Sequence, residues 1–445
     1  MCQGYVCNSE TGLMYQWFVY TCNCIPFCRF IFIISSRKES VYINFNKGYA
    51  EKVGLKIRNS KNSELFLKNL KSNNNLIEST ASVNEINSIS GKCLLENLYI
   101  NSEELINEWD VLILCTPCDA YLSVLKDLNL KKLTQIKKIV LISPEFGSSL
   151  ILKSFLKDDK TIEFISFSNY FGASNFSGDN HCLVITNALK KNVYIGSTHE
   201  NSLFVKKIAD FLGEFKINSI CCKNQLEAES KNITLFVHSP FLLNKVSLEQ
   251  VFDIDKTKRF LYKLYPEGPI TMTVIHKMVN LYQEILELYS AVNLPEFNLL
   301  KFLNDSYPVP EDSISKSDIE DYLGFPQLKK EYLLYVRYAS ILIDPFSTPD
   351  EDGRYFDFSR VSYSKIYKDK ENLWNIPRRP LEDYNKLNLI WYLTKLYGTR
   401  SDQIFELIKI YKEYYFNFIK TVGEKNIKES CKLTDRNYEA EIIYS

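Results

Sequence analysis

The residues best placed to do chemistry lie in the run Glu227-Ala-Glu-Ser-Lys-Asn-Ile-Thr-Leu-Phe-Val-His-Ser-Pro, which ends at Pro240. Read as one helix, it sets Leu226, Ile233 and Val237 on an apolar face, because steps of three, four and seven residues return to the same side. Glu227, Lys231, Thr234 and His238 share a second, polar face. Pro240 biases Ser239 away from helical dihedrals and so predicts His238 at or near the helix C-terminus. A histidine needs little tuning to move protons near neutrality, which makes His238 a candidate acid–base group. The alternative is a histidine that caps the last carbonyls against the negative end of the helix dipole. Spacing leaves both readings open.

Three further places could bind charge. In Lys263-Leu-Tyr-Pro-Glu-Gly-Pro-Ile-Thr-Met-Thr, Gly268 and Pro269 predict a helix start. The seam Met272, Ile275, Val279, Tyr282, Leu286 and Tyr289 follows it. Free N–H groups at that start could hold a carboxylate or a phosphate, unless water or a side chain caps them. Arg337 belongs to a long helix predicted over Gln327–Ile343. Cys115-Thr116-Pro117 and Ser143-Pro144-Glu145-Phe146-Gly147-Ser148 follow strand-like runs, where loops of parallel sheets receive ligands. Cys115 and Cys118 form a C-x-x-C, but it ends a strand instead of opening a thioredoxin-type unit.

These residues need elements to hold them. Short β-branched runs occur at Phe30–Ile34, Val111–Cys115, Ile139–Ile142, Phe164–Phe167, Cys182–Ile185 and Val193–Ile195, alternating with helical patterns such as Ala120–Leu128 and Ser148–Leu156. That rhythm predicts an α/β fold with a doubly wound, mostly parallel sheet over residues 1–200. Residues 201–445 read as an all-helical second domain, with a polar, exposed tail after Val422. Lysine plus arginine balances acid at 54 against 54, which gives no electrostatic case for nucleic acid or an anionic membrane. Twelve cysteines in 445 residues do not make a disulfide scaffold, and reduced thiols of the cytoplasm are expected. Residues 14–34 are apolar, but Pro26, Arg29, Thr21 and Asn23 interrupt them, so a buried strand and helix are expected in place of a membrane span.

Several runs together resemble the opine metallophore dehydrogenases, the staphylopine dehydrogenase group. They are Leu141-Ile-Ser-Pro-Glu-Phe-Gly-Ser, Ile165-Ser-Phe-Ser-Asn-Tyr, Tyr194-Ile-Gly-Ser-Thr-His-Glu-Asn-Ser and Val237-His-Ser-Pro. Lys263–Thr273, Glu331–Phe346 and Asp350-Glu-Asp-Gly-Arg-Tyr-Phe-Asp-Phe-Ser continue the series in order, over about residues 105–400. The resemblance implies a Rossmann-like NADPH-binding domain, a helical opine dehydrogenase domain that also dimerises, and an active site in the cleft between them. It implies reductive condensation of an aminobutyrate-histidine-like amine with a 2-oxo acid such as pyruvate or 2-oxoglutarate, without an enzyme-bound metal. The product would be a staphylopine-type chelator. His238 occupies the family's acid–base position.

Carboxylates of the two substrates need cationic or N–H donors. Lys231, Gly268, Thr271, Arg337 and Arg378 are the candidates. For the cofactor the candidates are Gly12, Arg37, Lys38, Thr116, Ser143 and Pro144. Counting back from Ser36-Arg37, which resembles the family's Gly-Arg after the second strand, puts Gly12 at the first glycine of the phosphate turn, with Met14 and Tyr15 where a glycine and a proline belong. Arg37 and Lys38 would meet the 2′-phosphate. Ala173 stands where the family tends to carry an aspartate, which leaves Glu227 or Asp179 as substitutes beside His238. An octopine-type amino-acid enzyme is one alternative. A relative that has lost its cofactor and serves as a binding or structural protein is another.

Overall fold

The computed structural model describes residues 30–35, 52–58, 61–82, 84–95, 97–157, 159–253, 258–306, 308–340 and 361–445. They fall into two compact units that divide between Asn232 and Ile233. The boundary therefore lies beyond the expected residue 200.

The strands of the first unit are β1 (Phe30–Ser35), β2 (Lys52–Ile57), β3 (Leu76–Ala81), β4 (Gly91–Leu94), β5 (Asn97–Tyr99) and β6 (Val111–Leu114). There follow β7 (Lys138–Leu141), β8 (Glu163–Phe167), β9 (Gly172–Ser177), β10 (Asn180–Leu189), β11 (Asn192–Ser197) and β12 (Asn218–Cys221). The helices between them are α1 (Lys61–Ser72), α2 (Tyr121–Leu128), α3 (Ser148–Phe155), α4 (Leu203–Gly213) and α5 (Gln225–Ser230). The large sheet has the order β12-β11-β8-β7-β6-β1-β2-β5. Because β12 pairs in parallel with β11, residues 201–232 belong to the sheet unit.

Strands β6, β7 and β8 run parallel in the middle of this sheet. Val111 and Ile113 enter one apolar cluster with Phe66 and Leu70 of α1. Leu112 and Leu114 enter another with Tyr121, Leu125 and Leu128 of α2. A strand covered on both faces must be apolar at every position, which is why Val-Leu-Ile-Leu carries no alternation. The sheet departs from the expected parallel arrangement in two places: β11 is antiparallel to β8, and β1 is antiparallel to both β2 and β6. Its last residue, Ser35, pairs with Lys52, the first residue of β2, so β1 ends at the edge where its neighbours begin. A smaller sheet, β4-β3-β10-β9, takes in the expected strand at Cys182–Ile185 and holds Ala173 at an exposed position of β9.

Among its described residues the second unit is helical apart from the two-residue strands β13 (Tyr367–Lys368) and β14 (Trp374–Asn375). It contains α6 (Thr234–Leu242), α7 (Lys245–Phe252), α8 (Met272–Ala291), α9 (Leu299–Ser306), α10 (Lys316–Glu320) and α11 (Gln327–Ser340). It closes with α12 (Arg378–Tyr397), α13 (Asp402–Val422) and α14 (Asn437–Tyr444). Ile275, Val279, Tyr282 and Tyr289 of the expected α8 seam are buried, while Met272 is exposed. On the same helix, buried Glu284 accepts the N–H groups of Gln403 (2.8 Å) and Ile404 (3.0 Å), which satisfies the start of α13. The tail after Val422 is not a polar extension: Ile427, Cys431, Ala440 and Ile443 are buried.

Candidate functional site

The run that ends at Pro240 is two helices, not one. Helix α5 stops at Ser230 and α6 starts at Thr234, with Pro240 inside it. The proline is tolerated because α6 is held by packing: Leu235, Phe236, Val237, Ser239, Pro240, Phe241 and Leu242 are all buried. His238 is therefore a mid-helix residue and not a C-terminal cap. Thr234, four residues earlier, shares its face.

Helix α12 supplies what surrounds this face. Lys386, 8% exposed, donates to Thr234 Oγ1 at 3.3 Å and to Glu382 Oε1 at 2.7 Å. Arg378 Nε lies 3.0 Å from Glu382 Oε2. Arg379, Glu382 and Lys386 repeat at steps of three and four, which gathers them on one side of the helix. Burial drives the pKa of half-buried His238 down to about 3, with Lys386 and Arg379 adding to the effect and Glu382 opposing it. The imidazole is thus neutral at physiological pH, with its surroundings disfavouring the protonated form. Burial works against the Glu382 carboxylate, but Lys386 and Arg378 outweigh it and hold its pKa at about 2. One helical step away, Asp383 is 2% exposed, its Oδ2 has no partner, and burial pushes its carboxyl up to about 8.

Of the sequence candidates for substrate binding, Arg378 joins this cluster. The other four have structural work. Arg337 is 2% exposed, donates to the Leu303 carbonyl at 2.9 Å, and lies against the Tyr338 ring. Thr271 caps α8, its hydroxyl accepting the Val274 N–H at 3.2 Å, so the helix start carries its own cap. Gly268 is required by close backbone approach, since a Cβ there would sit 2.3 Å from the Lys263 carbonyl oxygen. Lys231 closes α5 in the first unit, where burial lowers its pKa and Glu227 opposes the shift. The carboxylate that acts on His238 is Glu382, in place of the expected Glu227 or Asp179.

In the first unit, the loops at the carboxyl ends of β6, β7 and β8 converge. Thr116, after β6, is 2% exposed and its hydroxyl has no protein partner, which leaves a buried polar atom facing the place where ligands of such sheets bind. Ser143 gives its N–H to Tyr121 Oη (3.1 Å) and its hydroxyl to Asn169 Oδ1 (3.0 Å). The Pro144 carbonyl accepts from Asn232 Nδ2 at 2.9 Å. Strand β2 lies second along the sheet from β6 through β1, and Arg58 follows it directly. Gly12, Arg37 and Lys38 lie outside the described residues. The strand before Arg37 is β1, however, so Arg58 and not Arg37 follows the strand whose end meets a ribose phosphate in dinucleotide folds.

A mostly parallel sheet with polar strand-end loops and a helical unit bearing a buried, neutral histidine fit an opine dehydrogenase, a class of nucleotide-dependent oxidoreductases. The family model described as staphylopine dehydrogenase matches residues 39–445, and the chain belongs to that family. It is 38% identical to the staphylopine synthase of Staphylococcus aureus (strain Mu50 / ATCC 700699), over 73% of this chain and 76% of that one. It is 34% identical to the pseudopaline synthase of Pseudomonas aeruginosa (strain UCBPP-PA14), over 80% and 83%. A solved yersinopine dehydrogenase with NADP+ bound superposes with a TM-score of 0.80 at 27% identity, over 87% of this chain and 91% of that one. An octopine dehydrogenase in complex with NADH and agmatine shares the fold, with a TM-score of 0.56 at 13% identity. Gly12, Arg37 and Lys38 precede the matched span.

Proposed function

We propose that the chain is an NADPH-dependent opine metallophore dehydrogenase of the cytoplasm, acting as a homodimer. It condenses an aminobutyrate-histidine-like amine with a 2-oxo acid, pyruvate or 2-oxoglutarate, to a staphylopine-type chelator. The observation that carries this reading is the pairing of neutral His238 with Lys386, Arg379 and Glu382 inside the matched family span.

The chemistry has two proton demands. The amine must lose a proton before it attacks the ketone carbon, and the carbinolamine oxygen must gain one to leave as water. Neutral His238 serves the first demand and, once protonated, the second. Lys386 and Arg379 supply positive charge for the 2-oxo acid carboxylate, and Arg378 with its planar fork suits the second carboxylate. A bound carboxylate would offset the two cations beside His238 and make the ring a stronger base when substrate is present. NADPH, when bound, supplies the hydride that reduces the imine carbon. The residues that would hold it are Thr116 and the Ser143–Pro144 loop, with Arg58 at the 2′-phosphate. The buried, unpartnered Thr116 hydroxyl fits such a ligand.

Titration of the protein with NADPH, followed by nucleotide fluorescence, tests the cofactor part of this reading. Saturable binding below millimolar concentration is expected. No saturation there would leave the chain a binding or structural relative.

A further inference from the structure

Glu229 is a buried carboxylate that the proton chemistry above does not use. It is 1% exposed and sits on α5, yet all three of its described hydrogen bonds reach segments 63 to 82 residues away in sequence. Oε2 accepts the Gly147 N–H at 2.8 Å. Oε1 accepts the Ser149 N–H at 3.1 Å and the Ser166 hydroxyl at 2.7 Å. Gly147 is the residue before α3 and has φ +83°, a conformation that favours glycine, so its amide is aimed by the backbone itself. The carboxylate thus does for α3 what a bound anion would do at a helix start.

The same short segment is fixed again three residues on. Asn232 Nδ2 holds the Pro144 carbonyl, and Asn169 of the loop after β8 reaches both Ser143 and Asn232. Residues 143–147 are therefore clamped at both ends, by Asn232 at one and Glu229 at the other. An apolar side chain at 229 would leave two buried N–H groups and one hydroxyl without acceptors, a cost that falls on the loop.

Building on the cofactor site proposed above, we propose that Glu229 is a positioning residue for the nicotinamide cofactor: its carboxylate sets the backbone of the Ser143–Gly147 loop at the end of β7 in the form that receives it. Glu229 touches neither substrate nor reacting atoms; it acts through the loop. Glutamine at 229 keeps the shape but offers one acceptor oxygen and an N–H₂ that faces the N–H donors. Removal of the Ser166 hydroxyl keeps the carboxylate and both backbone bonds.

The test uses the full chain and three variants, Glu229→Gln, Glu229→Asp and Ser166→Ala. Each is measured for NADPH affinity by fluorescence, for KM and kcat with both substrates, and for melting temperature. Glu229→Gln is expected to weaken NADPH binding about tenfold or more, with the KM for NADPH rising in parallel and kcat at saturating NADPH changing less than about threefold. Ser166→Ala is expected to weaken NADPH binding by less than about threefold. A purely structural Glu229 would lower the melting temperature of Glu229→Gln with NADPH affinity unchanged, and that result overturns the proposal. If Glu229→Gln does not fold, Glu229→Asp decides: its shorter reach must weaken NADPH binding, and wild-type affinity in that variant overturns the proposal. Failure of wild-type protein to bind NADPH would overturn the cofactor reading as well, which separates the two failures.

Discussion

The neutral imidazole of His238 makes the sharpest quantitative expectation. With a pKa of about 3, only about 1% of the rings carry a proton at pH 5, where an ordinary histidine is almost fully charged. Burial is the larger cause, and the Lys386 ammonium is the next. Lys386→Met removes that charge and keeps most of the side-chain stem. A like charge within about 4–6 Å moves a pKa by about one to three units. The His238 pKa should therefore rise by about one unit or more in the variant, yet stay below the ordinary 6.5, because burial is untouched. Glu382 retains Arg378 at 3.0 Å, so the fold should survive the loss of one partner. The chain has four histidines, so NMR of protein labelled with ¹⁵N at histidine, titrated from pH 4 to pH 8, resolves them individually, and His238→Ala assigns the peak. One ring should stay neutral to the acid end in wild type and begin to titrate in Lys386→Met. A His238 that titrates near 6.5 in wild type, or one that Lys386→Met leaves unmoved, refutes the electrostatic account of the site.

Two further expectations follow from other residues. Arg58→Ala should weaken NADPH binding by about ten- to a hundredfold while leaving NADH binding nearly unchanged, since a phosphate–arginine pair is lost in one case only; parallel fluorescence titrations with the two nucleotides measure the ratio. Asp383, with a folded pKa of about 8 against an ordinary 3.8, binds its proton more tightly in the folded chain. Stability should therefore fall as pH rises from about 4 to about 8, by an amount on the order of 3–5 kcal/mol for a fully buried group. Asp383→Asn should abolish that part of the slope and melt higher than wild type above pH 8; parallel slopes in melting-temperature series across this range would contradict the assignment.

The alternation of strands and helices was legible because parallel strands buried on both faces read as unbroken apolar runs, as Val111–Leu114 does. Strand β2 was not legible. Its Lys-Val-Gly-Leu-Lys-Ile is broken by Lys56, which is 3% exposed and pays for burial by donating to the carbonyls of Ile100 (3.0 Å) and Ile57 (3.2 Å). With β2 hidden in this way, the sequence offers Arg37 and not Arg58 as the residue after the second strand. The flanking run singles out His238 as a candidate but not its surroundings, because Lys386 and Glu382 lie about 150 residues further along and only the fold brings them to Thr234 and His238. Their signal was the spacing of Arg379, Glu382 and Lys386 on one helix side, which looks like any solvated charged face. Arg337 and Thr271 misled for the opposite reason. Each has the chemistry of a ligand group, spent here on a buried carbonyl and on a helix cap.

In the proposed reaction the chain joins an amine to a 2-oxo acid with NADPH, and His238 moves the protons. The direct measurement follows NADPH absorbance with the amine and pyruvate or 2-oxoglutarate, for wild type and His238→Ala side by side, with NADPH affinity recorded for both. NADPH consumption that requires both substrates, a loss in the variant of about two to four powers of ten, and unchanged NADPH affinity are predicted. Consumption at a near-wild-type rate by His238→Ala, or none by wild type with any amine and oxo-acid pair, would contradict it.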